Sequence, residues 1–139
     1  MNKNLPERMM RNIYWSFAEN EQYATVADFV KAVNKYYDDL SVEDYVDFDK
    51  VVLDIPTVQI QYLYNEFDEE EEDYNEIEPM IVFHAKNKKH FTAGELLFNI
   101  HNEVVSKMID TPAHFFEGFL LYKESADKEV PLYFMTCGS

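Results

Sequence analysis

The chain has 139 residues and a mass of 16.5 kDa, and its 47% apolar and 16% aromatic content is enough to fill one core, which excludes wholesale disorder. Three glycines exclude a glycine-rich phosphate loop, and the single cysteine, Cys137, excludes a disulfide framework and a cysteine-based zinc site. With 27 acids against 12 bases the net charge is −15, which repels nucleic acid and anionic lipid.

The first twelve residues, MNKNLPERMMRN, carry no apolar segment ahead of their charges, so no secretory signal is expected. No apolar run approaches the length of about 18 residues that a membrane span needs. A lone cysteine and the lack of an Asn-x-Ser/Thr sequon point to a reducing compartment, the cytoplasm by default.

Ile13, Trp15 and Phe17 alternate with polar neighbours, predicting a strand over 10–17. Thr25 then opens a helix over 25–39. Its hydroxyl can cap the amide of Asp28, and Phe29, Val30, Val33, Tyr36 and Tyr37 recur on one helical face. Strands follow over 51–55 and from Thr57 onward, where Val58, Ile60, Tyr62 and Tyr64 alternate with Thr57, Gln59 and Gln61.

Residues 66–78 break the pattern: nine of these thirteen are acidic. Like charges at this density repel and solvate, so the segment reads as an exposed loop. It serves either as a solubilising spacer or, through Glu69, Glu70, Glu71, Glu72 and Asp73, as a docking segment for a basic partner. A calcium loop starting at Asp68 is disfavoured, because Asp73 stands where the turn glycine is needed and Pro79 where the bidentate glutamate is needed. No metal site and no cofactor is expected.

Met80 to Ala85 is an apolar strand, and Lys86, Lys88, Lys89 and His90 form a basic turn. That turn either pairs with the acidic segment or forms a phosphate site at the start of the next helix. The helix itself spans 92–109, with Thr92 and Glu95 as a capping box and Leu96, Leu97, Ile100, Val104 and Met108 on its apolar face. Strands over 114–122 and 130–137 complete the chain.

Thr25 and Thr92 stand 67 residues apart, and the same offset overlays the strands around them. The reading is a single α+β domain over 1–139. Two βαββ-like halves, about 9–65 and 77–137, share a mainly antiparallel sheet with both helices on one face, and the acidic loop joins them.

Three residues are candidates for a cleft: His84, in the register of the core residue Phe17; His101, at the edge of the second helix's apolar stripe; and Glu117, which alternates with Phe115, Phe119 and Leu121. If they converge, they form an acid–base or metal site. No H-x-H, H-x-x-x-H or H-E-x-x-H spacing links them, so the competing reading is that they satisfy core-edge groups. Cys137 reads as a buried, inert thiol. The tyrosines read as core residues with their hydroxyls at the rim.

The second half carries TAGELLFNIH from Thr92 to His101, HFFEGF from His114 to Phe119 and a terminal Gly-Ser. In these features it resembles a set of small uncharacterised proteins with a capped Ile-His helix and an F-F-E-G strand. The resemblance implies that His101, Phe116, Glu117 and Gly118 occupy matching positions, and it implies no activity.

The expected function is therefore a non-enzymatic acidic protein-binding domain, of inhibitor, immunity-like or adaptor character, that meets a basic protein surface. The alternative is a small metal-dependent enzyme or ligand-binding protein with a cleft between its halves. Neither nucleic acid nor membrane is an expected partner, and composition leaves the oligomeric state open.

Overall fold

A computed structural model describes residues 5–18, 21–44, 46–108 and 111–138. In chain order the elements are β1 (Arg8–Met9), α1 (Val26–Asp39), β2 (Val51–Leu53), β3 (Thr57–Gln61), β4 (Tyr64–Asp68), β5 (Asp73–Ile77), β6 (Met80–His84), β7 (Phe91–Thr92), α2 (Ala93–Val104), β8 (Phe115–Leu121) and β9 (Leu132–Gly138). A 3-10 turn, Lys123–Ser125, links the last two.

The main sheet has five strands in the order β1-β8-β9-β3-β6. Every pairing in it is antiparallel except β3 with β9, which is parallel. Alternation sends Val58, Ile60, Phe119, Leu121, Tyr133 and Met135 to one face, where they join Phe29 and Val33 of α1 and Leu96, Leu97 and Ile100 of α2 in one core. The protein is thus α+β, with its helices packed against a mainly antiparallel sheet.

Both helix starts follow from their caps. The Thr25 hydroxyl accepts from the Asp28 amide, and the Thr92 hydroxyl from the Glu95 amide, each at 3.1 Å. The second box is not reciprocal, because the Glu95 carboxylate accepts instead from the Lys86 amide at 2.9 Å. Helix α1 stops in a Schellman turn with Ser41 at φ 57, where Val42 N–H reaches Tyr37 C=O and Ser41 N–H reaches Asp38 C=O. Helix α2 ends at Val104, short of the expected 109. An i→i−3 bond from Lys107 N–H to Val104 C=O tightens the chain there, and residue 109 lies outside the described residues.

The two expected halves do not share one element order: the first runs β1, α1, β2, β3, whereas the second runs β6, β7, α2, β8, β9, with the short β7 directly before its helix. Equivalent strands also take different places, since β2 pairs with β7 outside the main sheet whereas its counterpart β8 lies inside it. The expected strand over 10–17 is also interrupted. Met10 sits at φ 62, and only Ser16 bridges to Phe115, although Ile13, Trp15 and Phe17 are buried as their alternation requires.

The acidic segment is a correction. Residues 66–78 are mostly exposed, but they form most of an antiparallel hairpin, β4 with β5, rather than a loop. The Asp68 carboxylate organises its turn by accepting from the amides of Glu70 and Glu71 at 2.9 and 3.4 Å, and Glu72 takes the left-handed conformation at φ 52. The charges that suggested a loop crowd the tip, where Glu69 to Asp73 are exposed to water.

Candidate functional site

The three cleft candidates do not meet. His84 lies on edge strand β6 and faces outward, with its ring nitrogen 3.5 Å from the Thr57 hydroxyl. His101 is 1% exposed and satisfied inside the core: its Nδ1 accepts from Trp15 Nε1–H at 3.0 Å, and its Nε2 bonds to the Glu21 carbonyl at 2.7 Å. Phe17, Tyr23 and Phe29 surround its ring. Glu117 is exposed on β8, with two strands, β9 and β3, between it and β6. Among the described residues no group of three or more His, Cys, Asp or Glu is placed to hold a metal.

Glu117 reverses its expected face because β8 bulges. Phe116 pairs with Cys137 and Phe119 with Met135, so two residues of β8, Glu117 and Gly118, oppose Thr136 alone. The extra residue flips the parity. Phe116, Phe119 and Leu121 turn inward, while Phe115 and Glu117 turn outward. Gly118 takes φ +106 at the bulge, and a Cβ there would lie 2.8 Å from the Met9 carbonyl oxygen.

The possible phosphate site before α2 is closed. The amides of Ala93 and Gly94 donate to the carbonyls of Lys50 and Phe48, both at 2.9 Å, and the Glu95 amide is taken by its Thr92 cap. Nor does the basic turn pair with the acidic hairpin: among the described residues no ion pair joins them. Cys137 is a free, partly buried thiol. Burial, with Glu117 nearby, pushes its pKa up to about 12, which keeps it protonated and unreactive at neutral pH.

The hairpin carries a feature that charge counting missed. Phe67 and Tyr74 are cross-strand partners with ring centroids 5.2 Å apart, yet they remain 48% and 50% exposed. Alternation puts them on one face with Glu76, below the tip formed by Glu69–Glu72, while Tyr64 and Ile77 take the other face. The sequence signal was two aromatics flanking an acid run with a turn between them.

The root of the hairpin is fastened. Tyr64 stacks on Tyr62 at 6.2 Å, and Lys107 Nζ lies 5.5 and 5.9 Å from the two ring centroids. Lys107 donates to the Tyr62 hydroxyl at 2.8 Å and to Glu103 at 3.1 Å, and Tyr62 O–H donates to Glu103 at 3.0 Å. Burial raises the Tyr62 phenol above its ordinary range, and the bond to Tyr62 is the main cause that raises the Lys107 ammonium. Asn65 N–H donates to the buried Thr111 hydroxyl at 2.8 Å.

Fold and site together define an α+β protein that holds an acidic, aromatic-bearing hairpin outside its main sheet. No family model matches the chain, and neither a curated protein nor a solved structure matches it. Among the described residues no helix is long and apolar enough to cross a membrane.

Proposed function

We propose that this protein is a non-enzymatic binding module whose acidic hairpin docks onto a basic protein surface. The observation that carries the reading is the half-exposed Phe67–Tyr74 pair directly below the acidic tip of the hairpin. A solubilising spacer has no use for two large aromatic rings held in water. A surface rich in arginine and lysine does: the cations stack over the ring faces and meet Glu69, Glu70, Glu71, Glu72 and Asp73 at the neighbouring tip. The surplus of negative charge steers such a partner in and repels nucleic acid. A lone cysteine with no disulfide partner suits action in the reducing cytoplasm. Inhibitors of basic toxins and adaptors share this physical character. The metal-enzyme alternative loses its support, because its three nominated side chains lie in three different environments.

The test is capture of basic proteins from the native source by three immobilised forms. These are the wild type, a form neutralised to Gln and Asn over Glu69–Asp73, and a Phe67→Thr/Tyr74→Thr form that keeps β-forming residues in the hairpin. A partner held by the wild type, released by moderate salt and lost by both variants supports the proposal. A partner indifferent to both variants overturns it.

A further inference from the structure

The two edges of the main sheet are built differently. At one edge, β1 is two residues long, follows Pro6 and ends at the left-handed Met10, so it offers little backbone to pair with. At the other edge, β6 is five residues long, with the uncharged sequence Met-Ile-Val-Phe-His. Its pairing with β3 uses alternate residues. Bonds run from Tyr62 N–H to Pro79 C=O and from Ala85 N–H to Pro56 C=O, so the backbone groups of 79, 81, 83 and 85 face β3. Those of Met80, Val82 and His84 therefore face away from the sheet, and among the described residues no strand lies beyond them. Pro79 does not guard this edge, because its missing donor lies on the β3 side. Met80 and Val82 are also 55% and 42% exposed.

We propose that β6 pairs antiparallel with β6 of a second copy of this chain, joining two sheets into one continuous sheet across a twofold axis at Val82. Charge selects the occupant and the direction. The strand is preceded by exposed Glu76 and Glu78 and followed by exposed Lys86, Lys88 and Lys89. Among the described residues none of these five side chains forms an ion pair within its own chain. Antiparallel pairing centred on Val82 brings the Glu76–Glu78 end of each copy beside the other copy's lysine turn, Lys86 to Lys89. Parallel pairing would set acid on acid. In the antiparallel register Val82 exchanges both backbone bonds with its own counterpart, and Met80 does so with His84. Ile81 and Phe83, half-buried at the edge of the core face, gain a cover. The local match works against the overall negative charge, which the distance between the bulk of the acids and salt both screen. Glu76 belongs to the hairpin as well, but the pairing of β6 does not depend on the hairpin's proposed role.

Sedimentation velocity on the full chain over a range of concentrations tests this. The expected result is a concentration-dependent rise to twice the monomer mass. Val82→Lys, which opposes two like charges at the axis, abolishes it, and so does Val82→Pro, which removes an outward donor without touching a β3 bond. Circular dichroism checks that both variants fold. Charge reversal gives the sharper readout. Glu76→Lys/Glu78→Lys alone and Lys86→Glu/Lys88→Glu alone are each monomeric, and an equimolar mixture of the two restores the dimer. A wild type that stays monomeric at every concentration, or a dimer that survives both single reversals, overturns the proposal.

Discussion

The indole N–H of Trp15 donates to Nδ1 of His101 across a separation of 86 residues, inside the core. Nδ1 therefore carries no proton, and Nε2–H donates to the Glu21 carbonyl, so the ring is held neutral in one tautomer. The pair ties the segment before α1 to the last turn of α2. Asn102 reinforces the tie, since its side chain accepts from Tyr23 N–H and donates to Tyr23 C=O.

His101→Phe keeps the aromatic packing but leaves the Trp15 donor and the Glu21 acceptor without this partner. The expected loss is about 2 kcal/mol, read from the midpoint of urea unfolding. A loss no larger than an exposed substitution gives would show that the ring acts only by filling space.

Gly118→Ala is expected to be the costlier change, at about 3 kcal/mol, because it combines a strained backbone with a collision against a neighbouring strand. A Cβ there would stand 2.8 Å from the Met9 carbonyl oxygen and 3.1 Å from the Arg11 backbone. Thermal unfolding measures it. Gly94→Ala is the milder comparison, since its nearest contact is 3.2 Å from the Phe48 oxygen at an ordinary φ.

These residues also show what could be read ahead of the structure. The threonine caps, the apolar helix faces and the Val58–Ile60 alternation are local, so spacing alone revealed them. The face of Glu117 was lost because one bulge residue inverts every side chain before it, and only the partner strand decides whether a bulge forms. The hairpin was hidden because charge density is a statement about solvation, and two strands can be fully solvated and still pair. The place of His101 was illegible because its partners lie about 80 residues or more away in sequence.

Alkaline pH should unfold the protein in a defined order. Folding raises the Cys137 pKa from 9.0 to about 12, so the unfolded chain releases that proton first. This contribution to stability is whole below pH 9 and disappears as the pH climbs toward 12. Burial also raises the phenols of Tyr37, Tyr62 and Tyr133, so their contributions fade above about pH 10. Urea midpoints should therefore fall from pH 9 upward, and Cys137→Ala should flatten the first part of that fall. The thiol should also alkylate far more slowly in the native protein than in urea. Equal rates would contradict its burial.

The hairpin can act as a docking element only if its root holds it in place, and Tyr62 is the hinge of that root. Its hydroxyl receives Lys107 and gives to Glu103, so one oxygen joins β3 to the end of α2, while its ring supports Tyr64 at the first residue of the hairpin. Tyr62→Phe keeps the ring stack and removes both hydroxyl bonds, leaving Lys107 and Glu103 paired with each other. The expected global cost is about 1 kcal/mol. The larger effect should be local: amide exchange should speed up over 64–77 more than over β3 or α2, because a two-stranded hairpin has little stability of its own. Lys107→Met should do the same by removing both the bond and the cation over the rings. Uniform acceleration across the chain would mean that the cluster supports the core, with no special hold on the hairpin.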